Sequence, residues 1–303
     1  DVLSRLKPDV LIILGDRFES LAIAQTALIM KVPIAHLHGG ELSEGSYDDA
    51  IRHSITKMSS LHFVSTEAYR RRVIQLGEDP SSVFNMGAIG LQRFQTTKFL
   101  SKEEVNSRLN INLDVPYFVI CYHPVTNENE NPRKAIREIL IAAKNFSKYK
   151  IFISYPNADN GGSIIIEEIE KFLHENPDKV ILSKSLSDDL FLSVVKNSEV
   201  LIGNSSSGII EAPSLGVPSI NVGSRQRGRK SAASVIDCDV KAEIILKTIR
   251  FGISGAHKKL AKVKTNPYFR DNSVWKIVDI LKSYKFNSSK TFFDISQDLE
   301  NEI

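Results

Sequence analysis

Gly203-Asn204-Ser205-Ser206-Ser207-Gly208-Ile209-Ile210-Glu211 joins an apolar run to a helical pattern through a loop rich in hydroxyls and glycine. Backbone N–H groups at a helix N-terminus, with the positive end of the helix dipole behind them, bind an anion, and serine hydroxyls add donors. Glu211 follows about one helical turn on, where a carboxylate can accept hydrogen bonds from ribose hydroxyls. The same residues would equally make an ordinary Ser-capped helix. A second loop, Gly223-Ser-Arg225-Gln-Arg227-Gly-Arg229-Lys230, carries four cations. Alone it reads as a solvated basic loop; beside the serine loop its guanidiniums could clamp a diphosphate bidentately.

Acid–base groups gather elsewhere. Gly15-Asp16-Arg17-Phe18-Glu19 places Asp16 and Arg17 directly after an apolar run, although Asp16 and Glu19 also have the spacing of a helix-capping box. His36-Leu-His38-Gly39-Gly40-Glu41 leads on to Asp48, Asp49, Arg52 and His53. His36 and His38 alternate onto one side of a strand, but a zinc site would need three or four ligands in tight geometry, and neither the spacing nor a Cys pair supplies them. Asp48 and Asp49 also suit a helix start, with Arg52 and His53 as their partners one turn on. His123 closes an apolar run before Pro124-Val-Thr126-Asn127; it can transfer protons, donate to a phosphate, or simply bond a carbonyl at a strand end. Asn157-Ala-Asp159-Asn160-Gly161-Gly162 takes the corresponding place after the next strand, where a plain turn would explain it too.

These stretches need a frame, and the chain supplies one. Short apolar runs alternate with helical patterns, which predicts an α/β fold of repeated β–α units around parallel sheets. Val10–Leu14 reads as a buried strand, followed by a helix from about Glu19 to Lys31 with Leu21, Ala24, Leu28 and Ile29 on its apolar face. Strands at Pro33–Leu37, Leu61–Ser65 and Val83–Met86 and helices at Asp48–Lys57 and Glu67–Leu76 complete a first half. Between about Phe94 and Asp114 the pattern turns polar and helical. The second half has strands at Tyr117–Tyr122, Lys150–Ser154, Val180–Ser183, Val200–Gly203 and, last, Val217–Val222. Helices at Pro132–Ser147, Gly162–Glu175 and Asp188–Lys196 separate them, so the sheet should be doubly wound. A final helix near Asn272–Tyr284, with Val274, Ile277, Val278 and Leu281 apolar, precedes a polar tail. In such folds ligands bind at the carboxyl ends of strands, and nearly every unusual polar cluster here falls just after one.

With 303 residues, two domains are the natural expectation, and 42% hydrophobic with 25% charged residues indicates a globular chain without a membrane span or signal peptide. The formal net charge of +3 is dispersed and too small for a nucleic-acid surface. Two cysteines, Cys121 and Cys238, cannot form a disulfide framework and fit a reducing cytoplasm. The chain opens at Asp1 and runs almost directly into a strand, so an N-terminal portion is expected upstream.

Taken in order, GDRFE, GGE, DDAIRH, HPVT, PNAD, GNSSSG…E and GSRQRGR resemble the UDP-N-acetylglucosamine 2-epimerases, most closely the hydrolysing branch that feeds sialic and nonulosonic acid synthesis. The resemblance runs from Asp1 to about Ser283. It implies two facing Rossmann-like domains of the GT-B type: residues 1–100, their first strand and an arginine-bearing nucleotide loop upstream of Asp1; residues 101–267, binding nucleotide; a helix within 268–286 crossing back; and a polar tail, 287–303. By the same resemblance Asp16, Asp49 and His123 look catalytic, with His38 and Glu41 beside them. His38 stands where much of the family has glutamate, and Glu41 is the nearest acid. Arg17 looks like a substrate or phosphate contact, Ser205 and Ser206 like diphosphate contacts, Glu211 like the ribose contact and Arg225 like a phosphate-side cation. Asn157 and Asp159 match a nucleotide-side loop.

The implied reaction removes the C2 proton of UDP-N-acetylglucosamine, expels UDP to leave a 2-acetamidoglucal, adds water at C1 and returns a proton to C2 from the opposite face. Such chemistry needs several tuned acid–base groups and electrostatic support for the leaving diphosphate, with no metal or other cofactor. The expected partners are a UDP-sugar and further copies of the chain in a dimer or tetramer, with no nucleic acid and no membrane. A diacetylbacillosamine derivative as substrate, a GT-B glycosyltransferase, and a nucleotide-sugar-binding fragment without catalysis are the alternatives.

Overall fold

Strands and helices alternate along the chain as the apolar pattern requires. In order come α1 (Val2–Leu6), β1 (Leu11–Leu14), α2 (Phe18–Ile29), β2 (Ile34–Leu37), α3 (Asp48–Met58), β3 (Leu61–Val64), α4 (Glu67–Gln75) and β4 (Val83–Asn85). Next are α5 (Lys102–Leu109), β5 (Tyr117–Cys121), α6 (Pro132–Lys144), β6 (Lys150–Ser154), α7 (Gly162–Glu175), β7 (Val180–Ser183), α8 (Asp188–Lys196) and β8 (Val200–Gly203). The series ends with α9 (Ser207–Ile210), α10 (Ala212–Leu215), β9 (Ser219–Val222), β10 (Val235–Cys238), α11 (Ala242–Gly252), α12 (Gly255–Lys262) and α13 (Ser273–Ser283). The computed structural model describes residues 2–44, 47–125, 130–157, 160–286 and 290–295. They form two units: one of described residues within 1–43, 47–93 and 267–303, the other chiefly 94–266.

The first unit is a four-stranded parallel sheet in the order β1-β2-β3-β4. β2 and β3 are buried along their whole length, as central strands covered on both faces must be. β1 pairs with β2 and buries Ile13, with Ile12 53% and Leu14 58% exposed among the described residues. α2 buries Ala24 and Ala27, while Leu28 and Ile29 face outward at 53% and 81% exposure. An all-round apolar helix has no single face that sequence can pick, and here the two alanines are the residues buried. α13 packs Ile277 against Leu37, Leu61 and Phe63 of this sheet.

The second unit is a six-stranded parallel sheet in the order β10-β9-β8-β5-β6-β7. Its strand order reverses between β5 and β8, the crevice where doubly wound sheets take ligands. β5 and β8 are wholly buried. α6 is set by Pro132 in its first turn and by Asn131, whose side chain accepts from the Arg133 and Lys134 N–H groups. The sheet does not end with the strand at Ser219–Val222: β10 adds a further parallel edge, and α11 and α12 follow it. β10 escapes a reading by apolar runs because Asp237 interrupts it and none of its residues is fully buried. Among the described residues, no helix is long and apolar enough to cross a membrane.

Candidate active site

In the first unit the polar groups collect at the carboxyl ends of β1, β2 and β3. Their hub is Arg52, 2% exposed, on α3. Its Nη1 donates to the Glu41 carbonyl at 2.7 Å and to Asp49 Oδ1 at 3.3 Å; its Nη2 donates to Ser43 Oγ at 2.9 Å and to Asp16 Oδ2. Asp49 Oδ1 also accepts the Ser43 N–H at 2.7 Å, and Asp49 Oδ2 lies 3.5 Å from His53 Nε2. A guanidinium this deeply buried needs its charge compensated, and Asp16 and Asp49 do so while their own carboxylates are aimed by it. Asp16 therefore does not cap α2: Arg17 is the N-cap, with no side-chain capping bond, and the exposed Arg17 Nε pairs with Glu19 at 3.3 Å.

His36 and His38 do not share a side. His36 is fully buried; its Nε2 donates to the Gly15 carbonyl at 2.8 Å and its Nδ1 lies 3.2 Å from Thr56 Oγ1. Burial, against the pull of the Gly15 carbonyl, takes its pKa down to about 3, so the ring is neutral and braces the Gly15–Asp16 turn. His38 turns away because its φ is +67°, outside the extended range that keeps residues alternating. Its Nδ1 instead meets Glu41 Oε1 at 2.8 Å, and the same oxygen accepts from Ser65 Oγ at 2.6 Å. Glu41 is only 3% exposed, whereas the His38 side chain keeps 18%. The turn between them demands glycine: Gly40 has φ +74°, and a Cβ there would sit 2.6 Å from the Tyr69 carbonyl.

In the second unit His123 follows β5 and the serine loop follows β8, across the switch point. Asn204, fully buried, ties them together: its Oδ1 accepts the His123 N–H at 2.7 Å and its Nδ2 donates to the His123 carbonyl at 2.8 Å. The Asn157 N–H donates to His123 Nδ1 at 3.0 Å, which puts the proton of a neutral ring on Nε2, 3.5 Å from Cys121 Sγ. Burial pushes the Cys121 thiol up, so it stays protonated. The Asn204 carbonyl accepts from Arg225 Nη1 at 3.1 Å and Gln226 Nε2 at 2.8 Å, which fastens the basic loop to the serine loop. Ser205 Oγ accepts the Ser207 N–H at 3.3 Å, and Ser206 is the N-cap of α9. The helix expected behind this loop is a single turn; α10 follows after Glu211, because Pro213 has no N–H to carry the ladder on. The serine hydroxyls and loop amides, more than a long helix dipole, are therefore the donors that this loop could offer an anion. Asp159, Thr126 and Asn127 lie outside the described residues.

The family model for UDP-N-acetylglucosamine 2-epimerase matches residues 1–282. The chain belongs to that family. It is 39% identical over 301 residues to polysialic acid biosynthesis protein P7 of Escherichia coli, covering 98% of this chain and 76% of that protein. It is 40% identical over 240 residues to the GDP/UDP-N,N'-diacetylbacillosamine 2-epimerase (hydrolyzing) of Campylobacter jejuni, covering 79% of this chain and 62% of that one, less than two thirds of its length. The solved UDP-GlcNAc 2-epimerase of Neisseria meningitidis, bound to UDP-GlcNAc, has the same fold, with a TM-score of 0.78 at 20% identity over 94% of this chain and 79% of that chain.

Within this epimerase-family chain, several groups that shape the site were not singled out by sequence. Arg52 read as a helix partner of Asp48 and Asp49, Gln226 stood inside the GSRQRGR motif with no role of its own, and Ser65 and Thr56 gave no signal at all. Arg52 could have been found from its place one turn after two acids; the others are joined to the site only by folding. The tail is also not merely polar. Lys290 Nζ donates to the carbonyls of Lys57 and Ser59 at 2.8 and 2.6 Å and to buried Glu78 at 2.6 Å. It thereby caps the end of the helix that carries Asp49 and Arg52.

Proposed function

We propose that this chain is the catalytic part of a hydrolysing UDP-HexNAc 2-epimerase that releases UDP and N-acetylmannosamine. The observation that carries the reading is the convergence of Asp16 and Asp49 on one buried guanidinium, Arg52, at the ends of the first sheet's strands. A site that only binds a nucleotide-sugar, or transfers it to an acceptor, has no use for so many positioned proton carriers. In this reading, removal of the C2 proton and cleavage of the C1–O bond, its electron pair leaving with UDP, give 2-acetamidoglucal. Water then adds hydroxide to C1 while a proton returns to C2 from the other face.

Asp16, Asp49, His38 and His123 are the proposed proton-handling groups. Glu41 is too enclosed to meet a sugar and instead orients His38, leaving the outer ring nitrogen of that imidazole for substrate. Ser205, Ser206 and Arg225 would receive the diphosphate, where preset donors stabilise developing charge without reorganisation. Asn157 and Glu211 would contact the nucleoside, and Arg17 is proposed to reach the substrate from its exposed position.

Incubation of the protein with UDP-N-acetylglucosamine in heavy water tests this. N-acetylmannosamine carrying deuterium at C2 is the expected product; released sugar without it rules out elimination, and UDP binding with no release rules out the enzyme. The 40% identity to the Campylobacter jejuni protein supports UDP-diacetylbacillosamine as the second substrate to try, and turnover of that sugar alone would reassign the reaction within the same class.

A further inference from the structure

β8 pairs with β5 as far as Gly203 opposite Cys121, and there the backbone ladder ends, because Gly203 has φ +139° and the chain turns away into the serine loop. The Asn204 N–H still reaches the Cys121 carbonyl, at 3.2 Å. Beyond that point the Asn204 carboxamide takes the place of a peptide group. Its Oδ1 accepts the His123 N–H at 2.7 Å and its Nδ2 donates to the His123 carbonyl at 2.8 Å. A backbone N–H only donates and a carbonyl only accepts, so these two bonds decide which end of the amide is oxygen. A carboxamide carries donor and acceptor on one planar group, as a peptide does, and Asn204 is fully buried, so water cannot stand in for it.

With the backbone of His123 fixed, its ring is fixed in turn. The Asn157 N–H donates to Nδ1 at 3.0 Å, and Nε2 lies 3.5 Å from Cys121 Sγ. Because Nδ1 is occupied, Nε2 is the nitrogen through which the ring can exchange a proton; a tilt that frees Nδ1 would let the proton sit on either. The main chain of Asn204 does the rest: its carbonyl accepts from Arg225 Nη1 at 3.1 Å and Gln226 Nε2 at 2.8 Å. One residue thus holds the histidine by its side chain and the basic loop by its backbone. We propose that Asn204 is a positioning residue for His123, keeping the imidazole in one orientation and one tautomer at a set place beside the serine loop and Arg225. Fully buried, it acts through His123 and not on the substrate. The inference rests on the reading of His123 as a proton-handling group and adds the residue that keeps that group aimed.

Nitrogen NMR of the full chain, with labelled histidine, reads the ring directly, and His123→Gln identifies its signals. At about pH 8, above the ordinary histidine pKa, the unaltered protein should show the Nε2–H tautomer alone at His123. The His123 amide should exchange with solvent at least about a hundredfold more slowly than in an open chain. Asn204→Leu, close in size but with nothing to donate or accept, should give averaged tautomers at His123. Per folded molecule its kcat on UDP-N-acetylglucosamine should fall about ten- to a hundredfold, with KM within about threefold. Adding Asn204→Leu to His123→Gln should cost no more than about twofold beyond His123→Gln alone, because residues acting as a unit are not additive. A single tautomer retained in Asn204→Leu, or the full further loss in the double variant, would overturn the proposal. So would a His123 amide that exchanges at the open-chain rate in the unaltered protein, a measurement that needs no variant to fold. If no sugar nucleotide is turned over, the epimerase reading falls, while the ring spectra and amide exchange still decide the role of Asn204.

Discussion

Arg52 is the side chain on which the first unit's polar cluster turns. Its two Nη atoms reach four acceptors on three segments, a span that a lysine's single ammonium cannot cover. In Arg52→Lys, Asp16 and Asp49 should lose their common anchor, and turnover should fall by about a hundredfold, as misplacement near 1 Å can cause. UDP binding, measured by calorimetry, should stay within about twofold, because Ser205, Ser206 and Arg225, proposed to receive the diphosphate, lie in the other unit. A turnover matching that of the unaltered protein would remove Arg52 from the positioning role. The His38–Glu41 pair makes a second residue-scale case. If Glu41 acts through His38, Glu41→Gln should shift the pH profile of kcat while leaving KM within about twofold, whereas a lost structural contact would lower the amount of folded protein and leave the profile in place.

Two elements owe their form to backbone geometry and to a distant segment. Gly203 ends β8 with φ +139°, and a Cβ there would sit 2.0 Å from the Cys121 carbonyl on the neighbouring strand. Gly203→Ala must push β8 from β5 at the switch point, so a loss of several kcal/mol, in the range of about 3–5 for severe overpacking and strain, is expected in urea unfolding. A loss under about 1 kcal/mol would mean that the strand end relaxes freely. α3 shows dependence on the tail. Lys290→Met deletes the donors to the Lys57 and Ser59 carbonyls and to Glu78, and should cost about 1–3 kcal/mol of the first unit's stability. An unchanged unfolding midpoint would show that Lys57 alone satisfies Glu78. Neither dependence is written locally: Gly203 looks like any strand-ending glycine, and Lys290 lies more than two hundred residues from the helix that it caps.

For the molecule as a whole, buried ionisable groups set an acid limit on stability. His36 is held at about 3 by burial, below the 6.5 of an open chain, so the unfolded state binds the extra proton. Its contribution is complete above pH 6.5 and drains away as pH falls toward 3, at up to about 1.4 kcal/mol per pH unit. Glu78 adds a later loss: burial would raise it, but His62, Lys290 and Lys57 hold it at about 2, so its share goes between pH 4.5 and 2. His36→Gln should flatten the stability curve between pH 6 and 4 by about one proton's slope, read from urea unfolding at each pH, and an unaltered curve would show that His36 is not the group. The sequence by itself determined the α/β class, the alternation of strands and helices and the family, because apolar periodicity and the ordered motifs are properties of adjacent residues. Tertiary structure alone decided that Asp16 meets Arg52 and not a helix cap, and that His38 turns to Glu41. Each of those depends on which distant segment arrives beside a side chain, and on the desolvation that burial imposes once it has.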